Sequence, residues 1–221
     1  MSTMNSVTEY GEFDEKFQET FELFKRNIES DEEVGASFAV YKDGKPIIDL
    51  YGGFQDRDKK ISWNKDTLVN VHSTSKGIVA MVVAKLIDNG DLELDKRVCD
   101  YWPEFSENGK NDIRVKTLLS HQAGLYGWRE PLDETDFYKW DYVCELLAKQ
   151  KPFHEPNEEI CYHPKTIGFL VGELIKRITK KSVGKNLHEL LSNPLDAKCF
   201  IGTPEIYHNN IAELISSESL R

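Results

Sequence analysis

Apolar residues in this chain alternate in short stretches near its start and form longer helical stripes beyond residue 70. Phe13, Phe17, Phe21, Phe24 and Ile28 recur every three or four residues. Residues so spaced share one helix face at 3.6 residues per turn, so this segment predicts an amphipathic helix. Residues 36–41 and 47–53 read as strands, with Lys42-Asp43-Gly44-Lys45 between them. An Asp-Gly pair between apolar runs is a hairpin signal, because the tight turn needs backbone with positive φ. Residues 55–66 are polar and predict a loop. From Ser73 the chain predicts a helix ended by Gly90, and Ile78, Val79, Met81, Val82, Val83, Leu86 and Ile87 make it apolar nearly all round, as in a helix enclosed by its domain. Further helices are predicted over 113–121, 136–150, 167–178 and 183–192, with a loop rich in Gly, Pro and acids over 122–135. Residues 1–11 read as a flexible leader and 12–221 as one domain of the α+β class.

Composition narrows the function. With 221 residues, 39% of them apolar and 30% charged, the chain has the make-up of a globular domain with a substantial core. No stretch approaches the roughly 18 uninterrupted apolar residues that span a bilayer. The start lacks the basic-then-apolar order of a secretory signal and is too acidic for a transit peptide, so a cytoplasmic protein is expected. Most of the net charge of −10 falls before Val34, and the near-balanced remainder argues against a nucleic-acid or anionic-membrane partner. Cys99, Cys144, Cys161 and Cys199 show no paired or metal-type spacing and are expected as reduced, mostly packed thiols, with Cys161 buried. No cofactor is implied. The histidines have no ligand spacing such as His-Glu-x-x-His, so no metal is expected.

One segment carries chemistry. Val71-His72-Ser73-Thr74-Ser75-Lys76-Gly77 places a serine at a helix start and a lysine three residues on, so the hydroxyl and the amine can converge on one face. A serine hydroxyl needs a neighbouring base to become a nucleophile, and a helix N-terminus and apolar surroundings favour a neutral amine. Alone, such a pair is more economically read as a helix-capping serine beside a solvated lysine. The flanking segments change that reading. Trp63-Asn64-Lys65-Asp66-Thr67-Leu68, Leu94-Asp95-Lys96-Arg97-Val98, Tyr101-Trp102-Pro103-Glu104-Phe105, Leu118-Leu119-Ser120-His121-Gln122-Ala123-Gly124-Leu125 and Cys161-Tyr162-His163 follow in order. Together with Ser-x-x-Lys, the chain from about residue 36 onward resembles the β-lactamase-related serine hydrolases, most closely the class C-like branch of esterases, D-amino-acid peptidases and animal β-lactamase-like proteins.

The resemblance implies a β-lactamase/transpeptidase-like fold, a helical subdomain against a partial antiparallel sheet. It makes Ser73 the acyl-accepting nucleophile, Lys76 its proton partner, and Tyr162 the phenol that passes the proton to the leaving group. The substrate implied is a small ester or amide. Many relatives have asparagine two residues after that tyrosine, where this chain has Pro164, which disfavours a β-lactam-type amide more than an ester. His121 is expected as a hydrogen-bonded structural histidine. No Lys/His-Ser/Thr-Gly motif follows Tyr162, and the C-terminal strands of complete relatives are expected to be missing. The 36–53 hairpin is therefore expected to show a bare edge and an uncovered apolar face, open to self-association. A weak hydrolase is the leading expectation, because an oxyanion donor would go with the missing motif. The alternative is a non-catalytic truncated member: a scaffold, an isoform or a gene-model fragment.

Overall fold

In a computed structural model describing residues 6–215, strands appear where a leader was expected. β1 (Ser6–Thr8) pairs antiparallel with β2 (Gly11–Phe13), Ser6 opposite Phe13. Residues 1–5 of the expected leader lie outside the described residues. β2 then pairs antiparallel with a later strand, Gly11 opposite Leu50. Gly11 has φ +106°, and a Cβ on it would lie 2.2 Å from the Asp49 carbonyl oxygen, so only glycine brings the two backbones this close.

The phenylalanine stripe is divided between elements. Asp14 accepts a hydrogen bond from the Lys16 N–H (3.1 Å) and starts a 3-10 turn over Glu15–Phe17, so α1 begins only at Gln18 (Gln18–Glu29). Phe13 is thus a strand residue, and it still stacks on Phe21 of α1, ring centroids 4.6 Å apart. Its helical spacing arises because strand and helix bury the same apolar layer. β3 (Gly35–Lys42) and β4 (Lys45–Gly53) form the hairpin, and the sheet order is β1-β2-β4-β3.

The expected bare hairpin needs correction. Phe13, Phe21, Ile48 and Leu50 are buried together, with Tyr10, Phe17, Phe24 and Val40 packed on them, so upstream residues cover its apolar face. The outer edge of β4 is taken by β2. Of the hairpin's two strands only β3 is an edge, with no strand beyond it among the described residues and with Phe38 and Tyr41 exposed; β1 forms the sheet's other edge. Residues 203–215 join this first unit, where Leu68 and Ile211 form a parallel bridge.

The second unit, His72–Gly202, is helical. It contains α2 (Thr74–Asp88), α3 (Val115–Leu119), α4 (Trp140–Lys149), α5 (Thr166–Thr179) and α6 (Val183–Leu187). A π-turn, His188–Ser192, extends α6 across the rest of the predicted 183–192 helix. The α5 stripe is buried as its periodicity predicts: Ile167, Leu170, Val171, Leu174 and Ile175 join Val82, Val83, Leu86, Trp102, Phe105, Leu118 and Leu147 in one core. α2 departs from expectation. Val82, Val83 and Leu86 are buried, but Met81 is 49% exposed and Gly77, Ala80 and Ala84 lie open beside it. Lys110 is fully buried, its ammonium donating to the carbonyls of Glu107 and Gln150, and burial lowers its pKa to about 8. Among the described residues, no helix is long and apolar enough to cross a membrane.

Candidate active site

Ser73 stands at the N-cap of α2, yet its side chain makes no capping hydrogen bond. The capping reading of the Ser-x-x-Lys pair therefore fails here. The Ser73 Oγ instead accepts from the Lys76 ammonium at 3.0 Å and from the Tyr162 hydroxyl at 3.0 Å. One helical turn supplies the first contact, since residues three apart share a face. The second crosses 89 residues of sequence, and only the fold could supply it. Lys76 Nζ also lies 5.2 Å from the centre of the Tyr162 ring. Structure thus brings together all three residues singled out from the sequence. His72, the residue before the serine, has φ +45°, a left-handed conformation that few non-glycine residues adopt.

The Tyr162 phenol is held below its ordinary pKa of 10.0. Its hydrogen bond with Ser73 is the largest cause, followed by its hydrogen bond with Lys76 and, after an opposing burial effect, the charge on Lys76. Tyr162 remains 52% exposed, so a substrate can approach the phenol. Ser73 is exposed as well.

Two histidines flank the triad. His163 is fully buried, and its Nε2 accepts from the Leu125 N–H at 3.0 Å while its Nδ1 lies 2.6 Å from the Cys161 carbonyl. Burial, foremost, lowers its pKa to about 4. The His163 backbone N–H donates to His121 Nδ1 at 3.1 Å, which gives His121 the hydrogen-bonded role expected of it. The role of His163 was not foreseen, and its only signal in the sequence is adjacency to Tyr162. Leu125 reaches His163 because Gly124 turns with φ +68°, where a Cβ would meet the His154 carbonyl oxygen at 2.6 Å. Tyr126 stacks on Phe153 (centroids 4.7 Å apart) and meets His163 edge-on.

Pro164 is exposed and follows His163 as the chain turns into α5, leaving no amide side chain at that position. The cysteines are all free. Cys144 is buried and its thiol is pushed up to about 12 by burial, while Cys99, Cys161 and Cys199 are half-buried, so the expected full burial of Cys161 is not met.

The fold is β-lactamase/transpeptidase-like, with the sheet only partly represented. A crystal structure of a novel penicillin-binding protein homologue from Caulobacter crescentus superposes with a TM-score of 0.89 at 35% identity, covering 96% of this chain and 56% of that one. A family VIII carboxylesterase superposes with a TM-score of 0.87 at 38% identity, covering 96% of this chain and 57% of that one. In sequence, the chain is 32% identical over 188 residues to Esterase/beta-lactamase LipL of Mycobacterium tuberculosis, over 84% of this chain and 43% of that protein. The β-lactamase family profile matches residues 22–210. The chain belongs to the β-lactamase family. It spans about half the length of these relatives.

Proposed function

We propose that this protein is a serine hydrolase that cleaves small esters through an acyl-enzyme on Ser73. The observation that carries the reading is the Ser73 Oγ held 3.0 Å from both Lys76 Nζ and Tyr162 OH. In the first step Tyr162 acts as the phenolate: Ser73 Oγ bonds to the acyl carbon while its proton passes to the phenolate oxygen, whose basicity the Lys76 ammonium tunes. The tetrahedral intermediate then expels the alcohol oxygen, which takes that proton as it leaves. Water attacks the acyl-Ser73 ester by the same route in reverse, releasing the acid and restoring the serine. A lowered phenol pKa suits this shuttle, because a base titrating nearer the working pH is present in its active form more of the time.

Esters are favoured over β-lactams because Pro164 offers no side-chain donor to an acyl amide. The name of the family VIII carboxylesterase agrees with this preference, while that of LipL covers both esterase and β-lactamase. The test is hydrolysis of a short-chain p-nitrophenyl ester beside a chromogenic cephalosporin. Ester turnover should exceed cephalosporin turnover, and Ser73→Ala should lower it by at least about 10³-fold. Ester turnover that survives Ser73→Ala would sink the reading.

A further inference from the structure

Tyr162 has no helix or strand to hold it, and both of its neighbours are tied to His121, His163 being held by Leu125 as well. The Cys161 N–H donates to the His121 carbonyl at 3.1 Å, and the His163 N–H donates to His121 Nδ1 at 3.1 Å. One residue, through its backbone oxygen and its ring, thus fixes the chain on both sides of the phenol. The His121 and Tyr162 rings lie 5.1 Å apart, so the imidazole also backs the phenol directly. His121 itself is fixed in a left-handed backbone conformation, φ +62°, which aims its carbonyl and its ring at the same segment.

The hydrogen bonds define the protonation of both rings. His163 Nε2 accepts from Leu125, so in the neutral ring the proton is on Nδ1, where it is donated to the Cys161 carbonyl. His121 Nδ1 accepts from the His163 amide, so its proton is on Nε2. The two rings therefore hold opposite tautomers. A proton added to His121 Nδ1 would place a donor against a donor and break one side of the clamp.

We propose that His121 is the positioning residue of this site, holding the Tyr162 phenol on Ser73 only while its ring is neutral. This rests on the serine-hydrolase reading of Ser73, and it adds an acid-sensitive support that no reacting group provides. The charged and titratable groups facing the His121 ring are Lys76 from α2 and Tyr162 and His163 from the clamped segment, with His154 acting on His163. Burial and then the Lys76 charge hold the His121 pKa below its ordinary 6.5. The clamp is therefore closed at neutral pH and opens as pH falls through that lowered value.

The experiment compares the wild type with His121→Gly and His121→Asn. Glycine tolerates the left-handed backbone and removes the ring. Asparagine also tolerates it and returns an acceptor oxygen near the Nδ1 position, without a titrating group. Ester turnover by His121→Gly should fall about 10²-fold in kcat with KM little changed, the loss expected when a reacting group drifts by about 1 Å. His121→Asn should recover most of that loss. In parallel, nitrogen NMR of the wild type should find Nε2–H on His121 and Nδ1–H on His163, and the His163 amide shift should titrate together with the His121 ring. An undiminished kcat in His121→Gly, no recovery in His121→Asn, or Nδ1–H on His121 would each overturn the proposal. If the wild type shows no ester turnover at any pH, the hydrolase reading fails, and the NMR titration still decides the clamp. A His163 amide that follows the His121 titration upholds it, and one indifferent to that titration overturns it.

Discussion

Replacing Lys76 with methionine should slow acylation of Ser73 by about 10²–10⁴-fold, and Tyr162→Phe should slow it by a similar factor. Both side chains converge on one oxygen, at 3.0 Å each, and the Tyr162 phenol owes part of its lowered pKa to Lys76. They act as one proton-handling unit, so the double variant should be little slower than the slower single variant. Independent roles would instead multiply the two losses. Lys85→Met supplies the control, because Lys85 pairs with Asp88 on the same helix and faces no reacting group. Single-turnover acylation by a p-nitrophenyl ester measures the rates of the wild type, both single variants, the double variant and the control. Multiplicative losses in the double variant would separate Tyr162 from Lys76 and call for a different base.

Phe105→Ala should destabilise the helical unit by about 3–5 kcal/mol. Phe105 has no exposed surface and lies against Trp102, centroids 5.3 Å apart, beneath the buried Lys110, whose ammonium is 5.6 Å from the Phe105 ring. Removing the ring leaves a cavity in a layer with little freedom to collapse, since Lys110 is tied to the carbonyls of Glu107 and Gln150. A loss of this size is a large share of the roughly 5–15 kcal/mol by which a folded domain exceeds its unfolded state. The melting temperature should fall by on the order of 10 °C. Tyr138→Ala, at a side chain 90% exposed, should change stability by less than about 0.5 kcal/mol. A Phe105→Ala protein that melts with the wild type would show that the core closes over the gap.

The elements legible in the sequence were those whose own period decides them. The α5 stripe and the β3–β4 hairpin follow directly from apolar spacing and an Asp-Gly turn. Phe13 reads as helical because its spacing fits a helix while its burial belongs to a sheet, and the Asp14 cap that separates the two is one residue long. β1 and β2 leave no pattern in the sequence because each is three residues long, too short to show a period. Met81 and its open neighbours on α2 show the converse: an all-round apolar helix signals burial, but periodicity does not say what covers each face.

At the site, the Ser73–Lys76 contact could be read locally because both residues lie within one helical turn. Tyr162 entered only through the order of motifs, since nothing local points a residue 89 positions away at Ser73. The His121–His163 pairing lay beyond the sequence for a related reason. It depends on a left-handed His121, the turn at Gly124 and a buried imidazole, and none of these leaves a periodic trace.

Acylation at Ser73 is tested by peptide mapping by mass spectrometry after reaction with a fluorophosphonate. One phosphonyl group per chain is expected, carried by the peptide containing Ser73, absent in Ser73→Ala and retained in Ser75→Ala. A modified serine elsewhere, or a chain left unmodified under conditions that label an active esterase, would contradict it.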